Sequence, residues 1–123
     1  MIRRIRFLAH QDKKILLIDL SNCSATEVEE TFRALPDVVT TQARGSVLML
    51  CDYTGASFDL EAIRVMKETA VFDKPYVKKS AWTGKANPQV VSENLAENLA
   101  IFSRREFLAF KTRDEALAWL AKE

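Results

Sequence analysis

Two rhythms of apolar and polar residues alternate along this chain, and each switch between them marks a change of element. Residues 3–9, RRIRFLA, set Ile5, Phe7 and Ala9 against Arg4, Arg6 and Leu8, the period of two of a half-exposed edge strand. Residues 13–20, KKILLIDL, are nearly continuous in Ile and Leu, which predicts an interior strand. The short polar loop His10-Gln11-Asp12 makes the pair a β-hairpin, with His10 solvated in the turn. The period then lengthens. Ser24 with Glu27 is a capping box, and Val28, Phe32, Leu35 and Val39 follow on one helical face. Pro36 sits within that face, so the helix either kinks there or restarts with Pro36 in its first turn. Gly45 closes the segment.

The strand–helix alternation recurs three more times. Residues 46–51, SVLMLC, predict a second interior strand. The stretch from Asp59 to Phe72 predicts a helix that buries Leu60, Ile63 and Met66 and leaves Glu61, Arg64, Lys67 and Glu68 in water. Pro75 and Gly84 bracket a strand from Tyr76 to Trp82. Asn87-Pro88 predicts a helix start, with Val91, Leu95, Leu99 and Phe102 as its buried stripe and ENLAENLA as an echo of the helical period. Arg104 and Arg105 read as cations at that helix's C-terminus. REFLAFK is a short strand, and TRDEALAWLAKE is a helix with a capping box at Thr112 and Glu115 and an apolar face of Ala116, Leu117, Trp119 and Leu120. An edge hairpin followed by four strand–helix units specifies an α/β fold, a mixed, mostly parallel five-stranded sheet with right-handed crossovers.

Composition narrows the function. With 123 residues, 48% of them apolar and 28% charged, residues 1–123 read as one globular domain with one core. A net charge of +1 supplies no field for nucleic acid or an anionic membrane. Lys74, Lys78, Lys79 and Lys85 with Tyr76 and Trp82 form a basic-aromatic cluster, but strand alternation divides its charges between two faces, so no nucleic-acid partner is expected. No apolar run reaches the roughly 20 residues of a membrane span, and the interrupted N-terminal segment does not suit a signal peptide, so a cytoplasmic protein is expected. Cys23 and Cys51 read as small, reduced, buried hydrophobes. A single histidine, His10, leaves no His-rich zinc site and no Ser-His-Asp triad. No nucleophile has a base at motif spacing, so a non-catalytic protein without metal or cofactor is expected.

Candidate chemistry gathers where an open α/β sheet binds ligands, beyond the carboxyl ends of its strands. Asp19, Ser21, Asp52, Thr54, Gly55, Ser57, Asp59, Trp82 and Gly84 fall there and are the candidate ligand- or partner-binding residues. Each has a plainer role as well: Ser57 as cap of the second helix, Thr54-Gly55 as a turn, and Trp82 as a pocket wall or as core filling. One reading of the cluster is a response-regulator receiver, with Asp52 as phospho-acceptor beside Asp19, Ser80 or Thr83, and Lys111. Against it, Asp19 stands alone before Leu20, Thr112 follows Lys111 where receivers carry proline, and one strand–helix unit is lacking.

The segments ILLIDLSN, SVLMLCDYTGASF, KPYVKKSAWTG and TRDEALAWL, in this order, resemble an uncharacterised bacterial branch of the STAS (sulfate transporter and anti-sigma factor antagonist) family, from about Arg6 to Leu120. Asp52-Tyr53-Thr54-Gly55-Ala56-Ser57-Phe58 is similar to the D-L-S-G-V-T-F pattern of such domains. The resemblance implies a SpoIIAA-like fold with helices mainly on one face, and a regulatory or binding module that recognises a protein partner or small ligand. In sporulation-type members a phosphorylatable D-S-S-G comes next; here Asp59-Leu60-Glu61-Ala62 stands in its place, without a hydroxyl. If every helix covers one face, Val77, Phe107 and Phe110 are candidates for an exposed apolar face and hence a homodimer. CRAL-TRIO domains share this broad architecture, which motivates the alternative of an apolar or lipid-like ligand carrier; its discriminator is a continuous apolar cavity.

Overall fold

The computed structural model describes residues 4–84 and 103–122. The helix expected from Asn87, with Val91, Leu95, Leu99 and Phe102, and the basic residue Lys85 lie outside them. The described elements are β1 (Ile5–His10), β2 (Lys13–Asp19), α1 (Ala25–Val39), β3 (Val47–Asp52), α2 (Leu60–Asp73), β4 (Val77–Thr83), β5 (Phe107–Phe110) and α3 (Arg113–Ala121), with one 3-10 turn, Lys74–Tyr76, leading into β4.

The sheet order is β1-β2-β3-β4-β5. β1 runs antiparallel to β2, and all other neighbours are parallel. Only Gln11 and Asp12 form the hairpin loop, with φ of 50° and 65°. Two left-handed residues make a turn whose twist matches that of the flanking strands. His10 therefore ends β1, paired with Lys13, instead of sitting in the turn.

Strand order decides where the helices go. Each parallel strand is added on the same side of its predecessor, so right-handed crossovers must lie on one face. α1 and α2 accordingly pack together over Leu16, Ile18, Met49, Cys51 and Trp82. α3 follows β5 and leads into no further strand among the described residues, so crossover handedness does not bind it. It packs on the opposite face, where Ala116, Leu117 and Leu120 cover Leu48, Leu50 and Ala81.

That arrangement corrects the expectation of an exposed apolar face. Phe110 does lie on the α3 side, but Trp119 of α3 packs against it with ring centroids 5.5 Å apart. Val77 and Phe107 instead pack into the α1/α2 side. The register shifts at the start of β4, where Val47 pairs with Val77 but Leu48 with Lys79. The extra residue, Lys78, brings Val77 to the same side as Val47.

The helices carry three more findings. Ser24 caps α1 as a complete box, its hydroxyl accepting from the Glu27 amide while the Glu27 carboxylate accepts from the Ser24 amide. α1 runs on through Pro36 to Val39 with no restart. Proline has no N–H for the carbonyl four residues back, and that carbonyl, of Phe32, meets the Thr69 hydroxyl of α2 at 3.4 Å. On α2 the buried stripe is Ala62, Val65, Met66, Thr69, Ala70 and Asp73; Ile63 is half-buried, and Leu60 is 75% exposed instead of being in the core.

Candidate functional site

Parallel pairing aligns the strand ends. Asp19, Asp52, Thr83 and Phe110 form one row across β2 to β5. Leu17 and Leu50 lie in the core under α3, and residues two apart on a strand share a face, so this row lies on the α3 side.

The two carboxylates of the row are held by the same local motif. Asp19 Oδ1 accepts from the Ser21 amide (3.0 Å) and hydroxyl (2.6 Å). Asp52 Oδ1 accepts likewise from the Thr54 amide (3.1 Å) and hydroxyl (2.7 Å). Both are Asx turns of the form Asp-x-Ser/Thr, a spacing visible in the sequence. Asp52 Oδ2 accepts from Nε (3.2 Å) and Nη2 (2.7 Å) of Arg113, the first residue of α3. Arg113 also acts on Asp19, which Arg6 approaches at 3.7 Å. Burial pushes the Asp19 carboxyl up, but the Ser21 hydrogen bonds with Arg113 and Arg6 outweigh it and hold the carboxyl below its usual value.

The loops after β2 and β3 interlock with each other and with the end of β4 at Thr83 and Gly84, because α1 and α2 leave the sheet toward the same side. Leu20 N donates to Asp52 O (2.7 Å), Asn22 N to Thr54 O (2.8 Å), Ser57 N to Cys23 O (2.9 Å) and Tyr53 N to Thr83 O (3.0 Å). Gly84, at φ 116°, lies so close that a Cβ there would meet Thr54 N at 2.6 Å. A Cβ on Gly55, at φ 70°, would collide with the Asn22 side-chain carbonyl. Arg4 binds the first loop from below, donating to the Asp19 and Ser21 carbonyls at 3.4 Å and pairing with Glu27 at 3.3 Å. The crevice of a doubly wound sheet opens where successive connections leave for opposite faces. With no such divergence between β2 and β3, the loops close into a platform.

Three expectations meet their outcome here. Of its two expected roles Trp82 takes core filling: it is 3% exposed, between Tyr53 (5.4 Å) and Phe107 (5.9 Å). Ser57 does not cap α2; Asp59 does, accepting from the Ala62 amide at 2.8 Å. Asp19, Asp52 and Thr83 of the receiver quartet do share the row, but Asp52 is 8% exposed with both oxygens engaged and its cation is Arg113 rather than Lys111. Ser80 pairs with Met49, three positions before the row. Burial pushes the Cys23 thiol up to about 11 and the Cys51 thiol up as well, leaving both neutral and unreactive. Among the described residues no three His, Cys, Asp or Glu side chains gather as metal ligands, and no helix is long and apolar enough to cross a membrane.

Sequence reasoning missed Arg113 and Asn22. The repeated Asp-x-Ser/Thr spacing was the available signal for the turns they support. Asp52, Thr54, Asp19 and Ser21 are brought together with Gly55 and Gly84, while Asp59 lies at the start of α2 and Trp82 beneath.

No family model matches the chain, and no curated protein matches it. Among solved structures it is similar to an uncharacterised protein from the DUF3478 family with a SpoIIAA-like fold, from Shewanella loihica PV-4, at 20% identity and a TM-score of 0.68 over 95% of this chain and 92% of that one. At that identity the likeness shows architecture, and with the sheet order and helix placement above it establishes that this chain has a SpoIIAA-like, STAS-like α/β fold.

Proposed function

We propose that residues 1–123 form a single non-catalytic regulatory module of the bacterial cytoplasm, which docks a protein partner on the loops at the carboxyl ends of β2, β3 and β4. The observation that carries this reading is the interlocked platform, in which backbone bonds tie the loop after β2 to the loop after β3 and that loop to the end of β4, and both carboxylates turn inward onto Ser21, Thr54 and Arg113. A nucleophile or metal ligand would need a free carboxylate; a docking surface needs rigidity, which lowers the ordering cost of association. Exposed Asn22, Thr54 and Asp59 supply a polar rim, and Leu60, 75% exposed at the start of α2, supplies an apolar anchor.

An apolar-ligand carrier finds less support. Among the described residues, the apolar cavity inside the core, between Ile18, Phe32, Met49 and Trp82, amounts to about 20 Å³, enough for a water and far below a lipid.

The test is capture from the source organism with tagged wild-type protein and the Leu60→Glu and Thr54→Arg variants, with and without phosphatase treatment. Both variants are expected to lose a shared captured protein by at least roughly tenfold, as removal of an anchor does. Equal recovery by all three proteins would remove this surface from consideration.

A further inference from the structure

Asp73 ends α2 and is 1% exposed, yet its Oδ1 has no hydrogen-bond partner. A buried, unpartnered carboxylate is costly enough that such a group usually changes its protonation state. The side chain lines the cavity of about 20 Å³ described above, which leaves space for nothing larger than a water.

Among the described residues, the groups facing it come from several elements. α1 presents Phe32 and Leu35, and β2 presents Ile18, none of them polar. β3 contributes the Cys51 thiol, which burial keeps neutral. α2 itself adds Thr69, whose hydroxyl donates to Val65 O at 2.8 Å. The charged neighbour is Arg105, from the segment entering β5. Its donors are engaged elsewhere: Nη1 on Ala70 O at 2.8 Å and Nη2 on Ser80 Oγ at 2.7 Å, with the guanidinium 4.6 Å over the Phe107 ring. Arg105 is thus no helix-end cation in water, but a half-buried cross-link between α2, β4 and the start of β5. Arg104, beside it, is exposed.

We propose that Asp73 is a buried proton-binding site, held as a neutral carboxylic acid in the folded chain, and that loss of its proton loosens residues 103–107 from α2 and β4. An ionised Asp73 would draw the guanidinium away from Ala70 O and Ser80 Oγ, two of the bonds that tie this segment down. Burial, opposed by Arg105, raises the carboxyl from 3.8 to about 7. The folded chain then keeps a proton that the unfolded chain releases, so stability is full below 3.8 and falls as pH rises through about 7.

The direct measurement is the side-chain carboxyl carbon resonance of Asp73 in the wild-type protein. A midpoint near 7 is expected, and one below 5 would overturn the proposal. Urea unfolding of wild type and Asp73→Asn gives the linked readout. Relative to the variant, the wild-type unfolding constant should rise about tenfold per pH unit between the two values; parallel pH profiles would contradict it. If Asp73→Asn fails to fold, amide protection in the wild type decides the coupling. Protection at Glu106 and Phe107 should fall across the carboxyl midpoint, and constant protection there would refute the loosening.

Discussion

Gly84 and Gly55 occupy left-handed backbone in the interlocked loops, but their surroundings differ in one respect. A methyl on Gly84 meets the Thr54 backbone, which is fixed by its own turn on Asp52, whereas a methyl on Gly55 meets the exposed Asn22 side chain, which can swing aside. Gly55→Ala should therefore cost about 1 kcal/mol, the strain of the backbone alone. Gly84→Ala should cost more, about 2–3 kcal/mol, because backbone must move as well. Urea denaturation of the two variants measures the ordering, and equal losses would mean that the Thr54 turn is not rigid.

On the scale of single elements, α1 tolerates a proline in its fourth turn at the expense of the Phe32 carbonyl, which is left with a 3.4 Å contact from Thr69. Pro36→Ala restores that carbonyl's natural donor. The gain of up to about 3 kcal/mol in the helix exceeds the roughly 0.4–1 kcal/mol lost through a freer unfolded chain. A net stabilisation of about 1–2 kcal/mol is expected from chemical denaturation, and a destabilised variant would show that the proline fits a bend the helix needs. Elements of this kind were legible in the sequence because their causes are local: the alternation along β1, the Ser24 box, the apolar run of β3. Leu60 was misjudged for an equally local reason. Asp59 caps the helix, so Leu60 is its first residue and lies roughly 200° around the axis from Ala62, opposite the buried stripe. The site was less legible. The Asp-x-Ser/Thr turns could be read, but Arg113 reaches Asp52 across 61 positions, from a helix whose face the strand order decides. Asp73 and Arg105 meet only through the packing of α2 beside β4.

For the molecule as a whole, two kinds of carboxyl pull stability in opposite directions. Asp19, Glu27 and Glu61 sit below their ordinary values: Asp19 because the Ser21 bonds and nearby arginines outweigh its burial, Glu27 chiefly through the Ser24 amide, Glu61 chiefly through Arg64. Their contribution is present above 3.8 to 4.5 and is lost as pH falls further. Asp73 works the other way, its contribution draining as pH rises toward about 7. Thermal midpoints should accordingly peak on the acid side of neutrality, at about pH 4–5. A maximum at pH 8 would contradict the balance. The placement of α3 has a consequence for how the chain is made. Synthesis delivers all five strands before this helix, so a growing chain that has already paired β3 with β4 carries Leu48, Leu50 and Ala81 without the residues that will cover them. The stretch of translation between β4 and α3 is therefore when this face of the sheet is most exposed to aggregation.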